Sequence, residues 1–368
     1  DGLSLRRQHH KMETNEGQRS AAHEIALEMF AGQTEGTETE GSSSSSSRIP
    51  VIDLTGPPEV VRRQIWDAAA NEGFFQVVGH GIDWALIDEL FAMAEAFFDL
   101  FDKVEGQYGY TTSANAGWEK NWQRICNSVT PSDLKESFQM THHTDFIEGS
   151  PLWPKELPQL KQHAARFMQE AHRVTLVILS HIAVSLGLPP SFFEAHLDWR
   201  RPNHQSGPRL HKYHDVTDTY RHFPPNTHRI AAHTDWALLT LLFQREGQGG
   251  LRVCPGMSVL SQSNQQQQQQ GGTKELQWIG VEPMRDAICV NIGDSLKGWS
   301  DDQLQSTFHR VRLPREGECT GPRYSMVYFA QANKDSIIQG PNRTYPPISA
   351  GDFIWQRIKS TFPDRDAS

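Results

Sequence analysis

His233 and Asp235, separated by a single residue, and His309, far downstream, offer two imidazoles and one carboxylate to a single metal ion. That set suits iron(II), because three protein ligands on one side leave the remaining positions open for oxygen chemistry. The first two lie in Arg229-Ile-Ala-Ala-His-Thr-Asp-Trp-Ala-Leu-Leu-Thr-Leu-Leu-Phe243, an apolar, β-branched run that reads as two strands joined at the His-Thr-Asp bend. In an extended chain residues i and i+2 face the same side, so His233 and Asp235 can both point inward. Alone, an H-x-D pair is a weak signal, since a single His or Asp is more often a surface or hydrogen-bonded structural residue.

The elements around the three residues strengthen it. Between Asp235 and His309 run Gly249-Gly250-Leu251-Arg252-Val253, Leu276-Gln277-Trp278-Ile279, Ala287 to Asp294 and Ser306 to Val311, short strand-like stretches punctuated by Gly, Pro and Asp. This is the pattern of an antiparallel sandwich or roll, and a jelly roll can return a third ligand from a distant strand to the mouth where the first two sit. Helices are expected at Glu59 to Asn71, stopped by Gly73, and after Asp83, with Trp84, Ile87, Leu90, Phe91, Ala94 and Phe98 on one face. A longer one, about Leu160 to Leu186, braces the sheet, and its His163, His172 and His181 read as structural. Another forms around Phe353, Ile354 and Ile358 and closes one side of the pocket.

Four stretches resemble the 2-oxoglutarate and iron(II)-dependent dioxygenases of the isopenicillin N synthase-like group. They are Ile49-Pro-Val-Ile-Asp-Leu54 with Gly73 to Gly81, His233-Thr-Asp235 with Leu239-Thr-Leu-Leu242, Asn291-Ile-Gly-Asp294 leading to His309-Arg-Val311, and Arg323-Tyr-Ser325 with Tyr345 to Gly351. The resemblance covers roughly residues 48 to 361 in the family's order. It implies a fold that is mainly β with flanking helices, a double-stranded β-helix (jelly roll, cupin-like) core with a helical N-terminal cap.

Residues 1–47, mostly polar and ended by six serines, are too poor in apolar side chains to order and read as a disordered tail. The resemblance implies 48–200 as an N-terminal dioxygenase domain with bracing helices and 201–361 as the iron and 2-oxoglutarate-binding jelly roll, with 362–368 a tail. The polar tract Ser261 to Gly272 marks an insertion, set at 256–273, too poor in apolar side chains to pack. It is expected to loop out between a strand ending near Val253 and one starting near Glu275.

Arg323 and Ser325 fit the family's R-x-S element for the distal carboxylate of the oxo-acid cosubstrate. An arginine fork offers parallel donors to a carboxylate, and a hydroxyl two residues along the same strand face adds another. Tyr213 resembles the tyrosine of the family's N-x-Y-P segment, a second contact, although His211 and His214 stand where Asn and Pro are usual. Aromatic residues between Tyr108 and Phe146, among them Tyr110, Trp118, Trp122 and Phe138, either wall the substrate pocket, as in the family, or fill a core beneath a loop. The implied reaction consumes oxygen and 2-oxoglutarate, oxidises a C–H bond of a small organic substrate such as a specialised metabolite, and releases succinate and carbon dioxide. Hydroxylation, desaturation and ring closure are all open to it. Three other readings remain: an oxidase using oxygen without 2-oxoglutarate or with ascorbate, a non-catalytic binder on the same scaffold, and, ranked well below, a zinc hydrolase, which has no evident use for Arg323 and Ser325.

Composition bounds the partners. The chain has 368 residues, 37% of them hydrophobic, and a net charge of −9, which leaves no basic excess to hold phosphates. Neither nucleic acid nor an anionic membrane surface is an expected partner. Cys126, Cys254, Cys289 and Cys319 show no paired spacing and read as reduced thiols of a cytoplasmic protein. Ile25 to Phe30 is too short and too interrupted by charge for the apolar core of a signal sequence. Val174 to Leu188 falls short of a membrane span.

Overall fold

Strand alternation decides which side chains reach the interior, and four central strands show it clearly. In Leu239–Gln244 (β7) the residues Leu239, Leu241 and Phe243 belong to an apolar cluster beneath the helices, whereas Thr240 and Leu242 line an internal cavity. Ile288–Ile292 (β10) turns Ile288, Val290 and Ile292 outward to that cluster and Asn291 inward. In Arg323–Ala330 (β12) Tyr324, Met326, Tyr328 and Ala330 go outward, while Arg323, Val327 and Phe329 face the cavity. Gly207–Tyr213 (β5) sends Leu210 outward and Arg209, His211 and Tyr213 inward. A period of two thus gives one sheet an apolar outer face and a polar inner one.

These observations come from a computed structural model, which describes residues 48–100, 108–111, 115–120, 133–141, 153–217, 223, 227–258 and 277–361. The large sheet also takes in Val51–Asp53 (β1), Phe74–Val78 (β2), Gly117–Lys120 (β3) and Lys135–Gln139 (β4), in the order β1-β2-β10-β7-β12-β5-β4-β3. Strands from both ends of the chain therefore share one hydrogen-bonded layer. The second sheet contains His228–His233 (β6), Leu251–Ser258 (β8), Ile279–Gly280 (β9) and Thr307–Arg312 (β11), ordered β6-β11-β8-β9. Ile49, Phe74, Tyr213, Ile230, Leu251, Val253 and Val311 form a smaller apolar cluster. Ile337–Ile338 (β13) and Ile348–Ser349 (β14) make a short separate pair.

Helices cover the outer face. Pro58–Asn71 (α1) buries Val61, Ile65, Ala68 and Ala69, the residues its periodicity selects. In Trp84–Asp99 (α2) the Asp83 side chain accepts from the Ala85 N–H and caps the start. Leu160–Ser185 (α3) lies against both and sets Phe167 on Phe243 of β7, ring centroids 4.9 Å apart. Each such fully buried side chain contributes about 1.5–3 kcal/mol. Gly73 ends α1 at φ +69, where a Cβ would meet the Gln305 carbonyl oxygen at 2.2 Å, so only glycine lets β2 follow so closely. Among the described residues no helix is long and apolar enough to cross a membrane.

Two expectations need correction, and others fall outside the described residues. β8 does not end near Val253 but runs to Ser258, so the expected insertion boundary at 256 cuts three residues from a strand. Pro255 and Gly256 are accommodated because the pairing with β11 shifts register between His309↔Val253 and Thr307↔Ser258, and such irregularities tolerate both residue types. Its partner β9 is shorter and later than expected, since only Arg252 and Val253 pair with it. The tails 1–47 and 362–368, Cys126, Trp122, Phe146 and the glutamine tract lie outside the described residues.

Candidate active site

His233 closes β6 and His309 lies in β11, where the two are direct cross-strand partners with ring centroids 4.2 Å apart. Each ring is fixed by its own strand. His233 Nδ1 donates to the Ala231 carbonyl at 2.9 Å and His309 Nδ1 to the Thr307 carbonyl at 3.2 Å, which puts the proton on Nδ1 and turns the Nε2 lone pair inward. The two Nε2 atoms lie 3.7 and 3.8 Å from one oxygen, Asp235 Oδ1. The other oxygen, Oδ2, accepts from Thr240 Oγ1 at 2.6 Å and Asn291 Nδ2 at 2.8 Å. One donor atom from each residue lies within 4.8 Å of the others, a group that could hold a metal ion.

The charge states suit such an ion. Burial, and then the neighbouring His309, push the His233 imidazole down to about 3 against the opposing pull of Asp235, so the ring is neutral as a metal ligand must be. Burial alone would raise Asp235, but His309, His233, Thr240 and Asn291 outweigh it and hold the carboxylate below its usual range. A short helix, Asp294–Trp299 (α4), steadies the bend: the Asp294 N–H donates to the Asp235 carbonyl at 2.7 Å. Gly293, just before it, sits where a Cβ would meet the Ala237 oxygen at 2.1 Å. Asp294 also accepts from Ser306 at 2.7 Å and pairs with Arg357 at 2.9 Å, on the C-terminal helix Ala350–Thr361 (α5).

A second polar group occupies the inner face of β12 and β5. Register sets Arg323 opposite Tyr213 and Ser325 opposite His211. The Tyr213 and Ser325 hydroxyls are 3.2 Å apart, and the Arg323 Cζ lies 4.6 Å from the centroid of the Tyr213 ring. Arg323 is 1% exposed; its Nε donates to the Gln248 and Gly249 carbonyls at 2.9 and 3.0 Å and its Nη2 to Gln244 at 2.9 Å. Nη1 has no partner. A buried guanidinium with an idle N–H group is costly unless an anion completes it. The donor sets at both ends therefore fit a metal and an acid bound between them.

A cavity of ≈ 230 Å³ is lined by both groups. Arg209, Gln139, Phe329, Trp236, Ile354 and Ile358 add a wall with polar and apolar sides. Tyr110 lines it too, whereas Trp118 donates to Glu136 at 2.9 Å and Phe138 packs in the core 4.2 Å from Phe97. His163 pairs with Glu89 at 3.0 Å and His172 with Tyr328 at 3.3 Å on α3. Sequence reasoning missed Thr240 and Asn291 behind Asp235, and a buried pair, Asp133 and Lys135, 3.5 Å apart on the cavity wall. Asp133 accepts from the Ala231 N–H at 3.0 Å, tying the β4 end of one sheet to the histidine strand of the other. His211, which stands where the resembled family has Asn, is buried with its Nδ1 2.9 Å from Ser137 Oγ.

Known proteins resemble this chain in sequence and fold. Residues 49–156 match the family described as the non-haem dioxygenase in morphine synthesis N-terminal region, and residues 209–332 match the 2OG-Fe(II) oxygenase superfamily. A proline hydroxylase, buaE, of Petromyces alliaceus is 31% identical over 303 residues, covering 78% of this chain and 86% of that protein. The chain belongs to the 2OG-Fe(II) oxygenase superfamily. The 2-oxoglutarate-dependent dioxygenase caaD of Aspergillus niger is 26% identical and covers 85% of this chain and 92% of its own length. A full-length Neurospora crassa protein crystallised with α-ketoglutarate superimposes with a TM-score of 0.71 at 26% identity, over 86% of this chain and 97% of that one. The same protein was also crystallised with thymine. This 2OG-Fe(II) oxygenase is accordingly an oxidoreductase with a jelly-roll fold that uses iron(II), 2-oxoglutarate and oxygen to oxidise a small substrate.

Proposed function

We propose that His233, Asp235 and His309 hold the iron and that Arg323, Ser325 and Tyr213 hold the distal carboxylate of 2-oxoglutarate. One observation carries this: two inward imidazole lone pairs and a carboxylate oxygen share a cavity with a buried guanidinium that has an idle N–H group. When bound, iron with 2-oxoglutarate and oxygen supplies the oxidant that cleaves a substrate C–H bond, with succinate and carbon dioxide released. The chain's own residues position. The backbone carbonyls of Ala231 and Thr307 lock the histidine rings, Thr240 and Asn291 lock Asp235, and Arg323 fixes the acid's far end. Position selects the outcome, since a displacement of about 1 Å costs a large factor in rate.

A lining that mixes Arg209 and Gln139 with Ile354, Ile358 and Phe329, with the Arg209 guanidinium over the Phe329 ring, suits a compact molecule with both polar and apolar groups. Thymine, crystallised with one relative, and proline, in the name of another, are the first probes. We read residues 48–200 as a cap that contributes strands and bracing helices, and 201–361 as the catalytic part. With a net charge of −9 the protein is not built for nucleic acid or anionic membranes. Cys254 and Cys289 are free, and burial pushes each thiol up to about 12, in keeping with a reducing cytoplasm.

The test is an anaerobic titration of iron(II) and 2-oxoglutarate, followed by a screen for substrate-triggered succinate. A visible charge-transfer band is expected in the wild type. Asp235→Ala is expected to lose iron and to lower turnover by more than about 100-fold. No band in the wild type, or full iron binding by Asp235→Ala, would end the assignment.

A further inference from the structure

A second cavity, of ≈ 180 Å³, shares Arg323 with the active-site cavity and none of its other walls. Arg229 and Arg312 line it too. The three guanidinium groups are treated differently. Arg312 is neutralised by Glu318 through two bonds of 2.6 and 2.7 Å. Arg229, on the strand that carries His233, is 3% exposed and donates from Nη2 to the Gly321 carbonyl at 2.8 Å, while its Nε has no partner among the described residues. Neither Arg229 nor Arg323 has an ion pair among the described residues. Among the lining residues the one further carboxylate is Glu282, which is exposed, and Asp215, not among the lining residues, offsets the Arg229 charge only in part. Burial, and then Arg323, draw Arg229 down to about 10, the mark of a buried cation facing another cation.

Buried charges are paired or await a ligand. A distal carboxylate in the active-site cavity accounts for Arg323 and leaves Arg229 unexplained. We infer that the second cavity is an anion site in which Arg229 Nε and Arg323 Nη1 take a compact oxyanion, a phosphate-type ion or the carboxylate of a small acid, and that filling it opposes 2-oxoglutarate binding. The sign follows from the donors. Arg323 Nε and Nη2 are committed to Gln248, Gly249 and Gln244, so Nη1 is the nitrogen over which two anions compete. The coupling rests on the reading that Arg323 binds 2-oxoglutarate.

The experiment titrates the iron-loaded protein anaerobically with 2-oxoglutarate, following the charge-transfer band in chloride, sulfate or acetate at equal ionic strength. Sulfate is expected to raise the apparent Kd of the wild type by about tenfold. In Arg229→Gln the Kd in chloride should stay within about twofold of wild type and the sulfate effect should vanish, while Arg229→Lys keeps part of it. An equal effect of acetate assigns a carboxylate ligand, and an effect of sulfate alone assigns a phosphate-type ion. Identical Kd values in all three salts, or a sulfate effect that survives in Arg229→Gln, would overturn the site. A wild type with no band in chloride would instead sink the 2-oxoglutarate reading, and an Arg229-dependent rise in melting temperature with sulfate then decides the anion site alone.

Discussion

The two ends of the active-site cavity are finished to different degrees. At the histidine end every orienting bond is internal: the Nδ1 atoms are held by backbone carbonyls, Asp235 Oδ2 by two side chains, and the donors lie within 4.8 Å of one another. At the arginine end the side chain is anchored by three acceptors, yet its positive charge meets no carboxylate among the described residues. The difference teaches where ligand binding energy comes from. On the proposed assignment, the first end is shaped before its ion arrives, so binding there is governed by donor geometry. The second, on the same proposed assignment, carries an electrostatic deficit that the acid cancels, so binding there is governed by charge.

The sharpest way to break this contrast is Arg323→Gln. It should raise the apparent Kd for 2-oxoglutarate about 30-fold or more, since losing one partner of a buried charge pair costs about 2–5 kcal/mol, and leave iron stoichiometry intact. The ligand-free variant should melt only slightly below wild type, because removing the uncompensated cation offsets the three acceptors left without a donor, while the stabilisation given by 2-oxoglutarate disappears. A large drop in the ligand-free melting temperature would mean that the arginine end is as self-sufficient as the histidine end. Next in size, Asn291→Ala should weaken iron binding by about 10–100-fold, read by competition with a chelator, with little change in oxo-acid affinity once iron is saturating. Equal losses in both would show that the two ends are not separable.

The smallest effect comes from the neutralised arginine. The Arg312 guanidinium holds the Glu318 carboxyl down at about 2, below its ordinary 4.5. A carboxyl depressed by folding adds stability that is full above the ordinary value and is lost as pH falls toward about 2. Solvent screening of the half-exposed Glu318 keeps this below about 1 kcal/mol. Denaturant midpoints of Glu318→Gln should thus converge with wild type on acidification through that window, and parallel curves would count against the pairing.

The iron-binding candidates were legible because two imidazoles and a carboxylate are a rare chemistry among β-branched runs, and the inward faces because alternation is a local property. Asn291 was readable on the second ground alone: Ile288, Val290 and Ile292 are apolar and the residue between them must turn the other way. Its hydrogen bond to Asp235 was not, since that depends on Asn291 standing opposite Thr240 in β7, a register no local pattern encodes. The same holds for Tyr213, whose hydroxyl meets Ser325 only because β5 and β12 are paired at that offset. β8 outran its Pro-Gly break for a related reason: the partner strand, not the intrinsic preference of the segment, sets where pairing stops.

The carbonyls that anchor Arg323 belong to Gln248 and Gly249, in the turn after β7. Their position sets how far the guanidinium reaches toward the histidines, and hence, on the proposed assignment, the span between the metal and the carboxylate ends. Lengthening or shortening that turn would retune which chain length of keto acid the protein accepts while leaving each contacting side chain untouched, a route by which descendants of this scaffold could change diet.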